Sequence, residues 1–183
     1  MNMKISALNK LQPEEAKLAF LQCCTANAWV ERMIAAMPFS SFDTLSAQAD
    51  INWQGLTEAD YLQAFEGHPK IGDVSSLREK YRSTEKIAAG EQSGVNTATE
   101  KTLTQLKQLN DNYQEKFGFI FIVCATGKTA SQMLETLSQR IVNERSEEII
   151  NAAEEQRKIL QIRIEKMIET PVTINTASNV KEI

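Results

Sequence analysis

Apolar residues recur along most of this chain at spacings of three and four, the period of a helix face rather than of a strand. Pro13, a favoured first helical residue, is followed by Glu14 and Glu15, and the positions Ala16, Phe20, Cys23 or Cys24 and Ala28 then carry one apolar face into the run WVERMIAAM. A turn near residues 25–27 is expected to split this stretch into two helices, and Pro38 stops it. Thr57 with Asp60 reads as a capping box that opens a short helix toward Phe65, ended by Gly67-His68-Pro69. Thr97 with Glu100 reads the same way for a helix whose apolar positions Leu103, Leu106, Leu109, Tyr113 and Phe117 close at Gly118. Thr129 with Gln132 opens ASQMLETLSQRIVN, and Ser146 opens the longest helix, EEIINAAEEQRKILQIRIEKMIE, which Pro171 ends.

One run breaks the pattern. Phe119 to Ala125, FIFIVCA, has the composition of a strand, but no second segment offers to pair with it, so it is expected to be a buried extended connector or a helix start. The pattern therefore predicts an all-α, single-domain multi-helix bundle over residues 1–170. A polar tail over residues 171–183, PVTINTASNVKEI, is expected to fray.

Composition narrows the class. With 183 residues and 42% hydrophobic content the chain can bury one substantial core. A formal charge of -4 and a pI near 5.2 give no electrostatic pull toward nucleic acid or an anionic membrane, which favours a small soluble ligand. FIFIVCA is far shorter than the ~20 apolar residues a membrane helix needs. The N-terminal MNMKISALNKLQPEE has neither an h-region nor a small-residue cleavage site, so the expected location is cytoplasmic. Cys23 and Cys24 are adjacent and Cys124 sits in the apolar run, an odd set read as small buried hydrophobes rather than a disulfide framework.

The chemistry centres on the only histidine, His68, in the stretch AFEGHPKIGD. A residue before proline is pushed out of the α region, and the flanking Gly67 and Gly72 allow a tight turn, so the imidazole is presented from a defined loop. The bland alternative is a helix-ending histidine bonded to a carbonyl. Imidazole is the side chain whose ordinary pKa lets it give and take a proton at cellular pH. One histidine without HExxH or CxxC leaves too few nitrogen or sulfur ligands for zinc.

Glu91-Gln92, in IAAGEQSG, offers an acceptor and a mixed donor–acceptor suited to an amide-rich ligand, or is simply a solvated turn. Arg163 shares a stripe with Leu160, Ile164 and Met167, so its guanidinium leaves from the apolar side of the last helix. It either pairs with an internal carboxylate such as Asp73 or receives a carboxylate of a ligand. Gly127-Lys128-Thr129 ends like a phosphate-binding loop, but that motif requires a glycine where this chain has Ile122, and Thr129 serves as the helix cap.

The succession HPKIG (His68–Gly72), EQ (Glu91–Gln92), FGF followed by IFIVCA from Phe117, and Arg163 closely resembles the OHCU decarboxylase family, the 2-oxo-4-hydroxy-4-carboxy-5-ureidoimidazoline decarboxylases of the route from uric acid to allantoin. The resemblance runs from about Leu8 to Ile168. It implies a helical fold, commonly a homodimer, that removes CO2 from OHCU without a cofactor or metal and yields (S)-allantoin. It further implies that His68 is the catalytic acid/base and Glu91 its partner. Pro69, residue 88, Glu91, Gln92 and Arg163 would contact substrate, and Phe121, Ile122, Val123, Cys124 and Ala125 would offer backbone groups to its ring. At one of these positions the chain departs from the family, carrying Ala88 where a serine is usual; Ser93 or a water would have to replace that hydroxyl. Without the transthyretin-like hydrolase sometimes fused to this decarboxylase, and with KEI unlike a peroxisomal signal, the chain is expected to act alone on one step. Two other readings remain open: a helical module that binds a ureide or purine without catalysis, and a structural protein whose Arg163 is paired internally.

Overall fold

The computed structural model describes residues 3–68 and 95–168, with side chains in the second span from Glu100 onward. Among the described residues the secondary structure is helical: α1 Ile5–Leu8, α2 Pro13–Leu21, α3 Asn27–Ala35, α4 Phe42–Trp53, α5 Glu58–Glu66, α6 Val95–Phe117, α7 Ala130–Arg140 and α8 Arg145–Met167. The one β pairing among them is an isolated parallel bridge, Met3 to Ile168, in which Met3 N–H donates to Met167 C=O at 2.8 Å and ties the N-terminal end to the end of α8.

At two helix starts that carry their own side-chain caps, sequence and structure agree. Thr57 and Asp60 form a reciprocal capping box on α5, and Thr129 and Gln132 form one on α7. Gly118, which ends α6, has φ +79°, a left-handed conformation that glycine takes without steric cost. The expected split around residues 25–27 falls between α2 and α3, and Pro38 follows the end of α3.

Three boundaries move. The sixth helix starts at Val95, so Thr97 lies inside it rather than capping it. The eighth starts at Arg145, with Glu144 extended before it, so Ser146 is a first-turn residue. The seventh ends at Arg140, short of Asn143, where Asn143 N–H turns back to Arg140 C=O at 3.1 Å. Helix α4 went unread: Ser41, whose hydroxyl accepts from Thr44 N–H, opens it, but FDTLSAQADINW buries only Leu45, Ala49, Asn52 and Trp53, too thin an apolar stripe to stand out.

The core is built on α8, which packs against α4 and α5, while α2, α3 and α4 pack in succession and α6 pairs with α7. Phe20 meets Trp29 edge to face at 5.9 Å, and the Trp29 indole N–H donates to Ala49 C=O, fixing α2, α3 and α4 together. A second aromatic group joins Phe65 of α5, Tyr113 and Phe117 of α6, and Phe119 and Phe121 of the connector after it. Cys23 and Cys24 are buried thiols, whereas Cys124 is only half buried, because the connector that carries it runs along the edge of the core. Among the described residues no helix is long and apolar enough to cross a membrane.

Candidate functional site

His68 leaves the end of α5 just after Gly67. That glycine is required by crowding rather than by an unusual backbone angle, since its φ is -70° and a Cβ added there would stand 2.5 Å from Thr25 Oγ1. Thr25 in turn donates to Gln63 C=O at 2.8 Å, so the α2–α3 turn clamps the last turn of α5 and sets where the histidine emerges. The half-buried imidazole reaches α8 at two points. Its Nε2 lies 2.5 Å from Gln156 Oε1, and its Nδ1 lies 3.4 Å from an Arg163 guanidinium nitrogen. Gln156 and Arg163 are seven residues apart, two turns along one helix face, and the ring spans the gap between them.

Arg163 also donates to Cys23 C=O at 3.1 Å, and among the described residues no carboxylate pairs with it. Asp73, the internal partner considered from sequence, lies outside the described residues. Burial pushes the Cys23 thiol up to about 12 despite the nearby Arg163 charge, and Cys24 up to about 11, so both stay protonated beside the site.

Gln156 was not read from the sequence. Its side chain is fully buried at 0% exposure, and its Nε2 has no hydrogen-bond partner among the described residues. An unmet buried donor costs about 1–3 kcal/mol. The signal was available: Gln156 continues the buried stripe Ile149, Ala152, Ala153, Leu160 and Ile164, where a polar residue is as conspicuous as Arg163.

The connector from Phe119 to Ala125 is neither helix nor strand and is held from two sides. Phe119 and Phe121 pack on Tyr113 at 5.9 and 5.2 Å. On the helix side Arg140 donates to Ile122 C=O at 2.8 Å and Glu155 accepts from Cys124 N–H at 2.7 Å. These bonds fall two residues apart, the period of an extended chain, so both leave by one edge. Val123, between them, has its N–H and C=O without a hydrogen bond among the described residues.

The anchors are themselves held. Glu148, at 0% exposure, accepts from Arg140 Nε at 2.7 Å, from Asn143 at 2.9 Å and from the Tyr113 hydroxyl. Burial and then the bond to Glu148 push the Tyr113 phenol far above its ordinary pKa, so it serves as a neutral donor. For Glu155, burial raises the carboxyl, but the Lys158 hydrogen bond, the Cys124 N–H and the charges of Lys158 and Lys128 outweigh it and hold the group below the usual range. A cleft of about 360 Å3 is lined by His68 together with Leu62, Phe65, Gln114, Phe119 and Ile120 among others.

The structure thus brings His68, Arg163 and the Phe121–Ala125 connector onto adjacent faces of α8, since Glu155 holds Cys124 and the next residue, Gln156, holds His68. Pro69, Ala88, Glu91 and Gln92 lie outside the described residues.

Residues 9–165 match the model of the OHCU decarboxylase family. The chain belongs to that family. It is 36% identical to the 2-oxo-4-hydroxy-4-carboxy-5-ureidoimidazoline decarboxylase of Xenopus laevis, over 88% of this chain and 93% of the relative. It is 32% identical to the uric acid degradation bifunctional protein TTL of Arabidopsis thaliana over 79% of this chain, yet spans only 45% of that longer protein. A solved OHCU decarboxylase, crystallised in the presence of (S)-allantoin, superposes with a TM-score of 0.65 at 29% identity, covering 85% of this chain and 97% of the other. The all-α fold is therefore that of the OHCU decarboxylases.

Proposed function

We propose that this protein removes CO2 from 2-oxo-4-hydroxy-4-carboxy-5-ureidoimidazoline, giving (S)-allantoin in urate breakdown, without a cofactor. His68 is the acid/base and Glu91 its partner. Arg163 receives the substrate carboxylate or a carbonyl that gains charge, and Pro69, Gln92, the Ala88 position and the backbone of Phe121–Ala125 bind the ureido group and ring. The observation that carries this reading is a guanidinium without a carboxylate partner among the described residues, set beside the chain's only imidazole.

The chemistry needs little more. The carbon that bears the carboxylate also bears a hydroxyl and adjoins an imine-like ring bond. When the bond to CO2 breaks, its electron pair passes into that conjugated system, so no external electron sink is required. The hydroxyl then loses its proton as it becomes the ring carbonyl, and the neighbouring carbon, which carries the ureido group, gains one. The protein orients the carboxylate, holds the ring in one pose and delivers the proton to one face, which sets the S configuration.

The test is a stopped-flow assay that generates the substrate from urate in situ and follows its decay. Wild type accelerates the decay, and His68→Ala, folded by circular dichroism, loses most of the acceleration. A wild-type protein that binds (S)-allantoin but leaves the decay unchanged would instead be a ureide-binding module. By the same family likeness we propose a cytoplasmic homodimer that binds neither nucleic acid nor membrane, with residues 1–170 as the catalytic domain and 171–183 as a polar tail; sedimentation velocity tests the dimer.

A further inference from the structure

We propose that the turn between α2 and α3 is a bracket that sets His68 against Arg163, and that Thr25 is its positioning residue. One short turn holds both the helix end that carries the histidine and the guanidinium beside it. The inference rests on the decarboxylase reading for its catalytic half and on geometry alone for the bracket.

Three observations carry it. The first is the set of bonds that leave the turn. Cys23 C=O accepts from Arg163 at 3.1 Å. Two residues on, the Thr25 hydroxyl donates to Gln63 C=O at 2.8 Å and lies 3.3 Å from Ala64 C=O. Two further on, Asn27 N–H donates to Gln63 Oε1 at 2.8 Å, so residues 23, 25 and 27 reach α8 once and α5 twice. The second is where the Thr25 bonds land. Gln63 and Ala64 are among the last four residues of α5, whose carbonyls a helix leaves without partners of its own, so a hydroxyl from another element caps this end. The next carbonyl, of Phe65, accepts from His68 N–H at 3.1 Å, which hangs the histidine backbone on the capped turn. The third is the fit at Gly67, where an added Cβ would stand 2.5 Å from Thr25 Oγ1 and 2.7 Å from its Cγ2. Both branches of Thr25 are thus seated against the residue before the histidine.

The consequence is geometric, and it holds whatever further groups the ring meets, because it concerns where the His68 backbone leaves α5. Without the hydroxyl, the end of α5 can move against the turn while Arg163 stays bonded to Cys23 C=O. The imidazole then shifts relative to the guanidinium, from which its Nδ1 now lies 3.4 Å away. A misplacement of about 1 Å costs about a hundredfold in rate. Groups that bind substrate without the histidine keep their places, so the loss falls on kcat rather than on KM.

The test removes the hydroxyl and keeps the shape. Thr25→Val is expected to fold by circular dichroism, to lower kcat about ten- to a hundredfold and to leave KM within about threefold. The single histidine supplies a second readout, because histidine labelling gives one imidazole signal, which is expected to move by more than its line width in the ligand-free variant. Thr25→Ser, which keeps the donor, is expected to return both kcat and the imidazole signal to near the wild-type values. A Thr25→Val protein that melts earlier but keeps its kcat and its imidazole signal would make Thr25 a merely structural residue and overturn the proposal, as would a Thr25→Ser protein no better than Thr25→Val. Should Thr25→Val not fold, Gln63→Met decides: it removes only the strut to Asn27 N–H, and it is expected to lower kcat about three- to tenfold and to move the same signal. No change in either would overturn the bracket. Because the signal is read without substrate, a protein that shows these shifts and no decarboxylation would count against the reaction and leave the bracket standing.

Discussion

Replacing Arg163 with methionine separates a ligand-binding arginine from a structural one. The side chain is half buried on α8, and its described partners are Cys23 C=O at 3.1 Å and His68 Nδ1 at 3.4 Å. Only the first is a well-formed hydrogen bond. A bond from a charged donor contributes about 1.5–3 kcal/mol when buried, and the partial exposure here reduces that to about 1 kcal/mol. Methionine refills the apolar stripe beside Leu160, Ile164 and Met167, so little packing is lost. For a domain of this size, about 1 kcal/mol lowers Tm by about 2–4 °C. Losing the guanidinium that would pair with an anionic substrate costs about 2–5 kcal/mol, roughly thirty- to several-thousand-fold in kcat/KM. The measurements are thermal unfolding followed by circular dichroism and kcat/KM from the in situ substrate assay. A variant that loses more than about 10 °C while keeping kcat/KM within threefold would make Arg163 a structural residue, and the substrate-anion role would be wrong.

Two further predictions concern the connector. Glu155→Gln weakens the anchor on Cys124 N–H, and the expected loss at pH 7 is about 1 kcal/mol in urea unfolding. Because the Glu155 carboxyl is held below its ordinary value, its contribution is complete above the unfolded pKa of about 4.3 and is lost as pH falls through the lower folded value. The gap between wild type and variant should therefore close below about pH 4, and a gap independent of pH would refute the assignment. Arg140→Met leaves Glu148, at 0% exposure, without its cation, with an expected cost of about 3–5 kcal/mol. Combining it with Glu148→Gln should recover part of that cost in the same unfolding assay, and no recovery would mean that the ion pair is not the reason.

The parts of this fold legible in the sequence are those whose cause is local. Thr57 and Thr129 mark their helices because hydroxyl, carboxylate or carboxamide and backbone N–H all lie within four residues. Thr97 has the same pattern, yet α6 begins before it and carries it inside the helix. The sequence placed His68 at the end of a helix and Arg163 on an apolar stripe, but gave the wrong reason for Gly67, which answers to Thr25 across a turn rather than to its own backbone angle. The groups that hold the connector were illegible for a related reason: Arg140 reaches Ile122 across 18 residues and Glu155 reaches Cys124 across 31, contacts that exist only once α7 and α8 are packed. Gln156 was overlooked because a neutral amide raises less alarm on an apolar stripe than a charge does.

What joins these pieces is the spacing along α8. Glu148 and Glu155 are seven residues apart, as are Gln156 and Arg163, so the helix carries two parallel stripes, each about 10.5 Å from one member to the next and offset by one residue. The first stripe grips the connector: Glu148 through Arg140 to Ile122, and Glu155 directly at Cys124. The second grips the histidine, Gln156 at one ring nitrogen and Arg163 at the other. A helix cannot slide one of its stripes past the other, so the imidazole and the backbone edge at Val123, which has no hydrogen bond among the described residues, are held in a fixed relation by one rigid element, although His68 and Val123 come from distant parts of the chain. Proton delivery to a single face of a planar ring demands such a relation, because a shift of about 1 Å between the group that holds the ring and the group that protonates it forfeits much of the orientation the site supplies. A helical protein gains from an irregular segment of this kind: helices lock their backbone donors and acceptors into their own bonds, whereas this connector, anchored from behind, leaves the Val123 N–H and C=O without a hydrogen bond among the described residues, where the proposed reading sets the substrate ring.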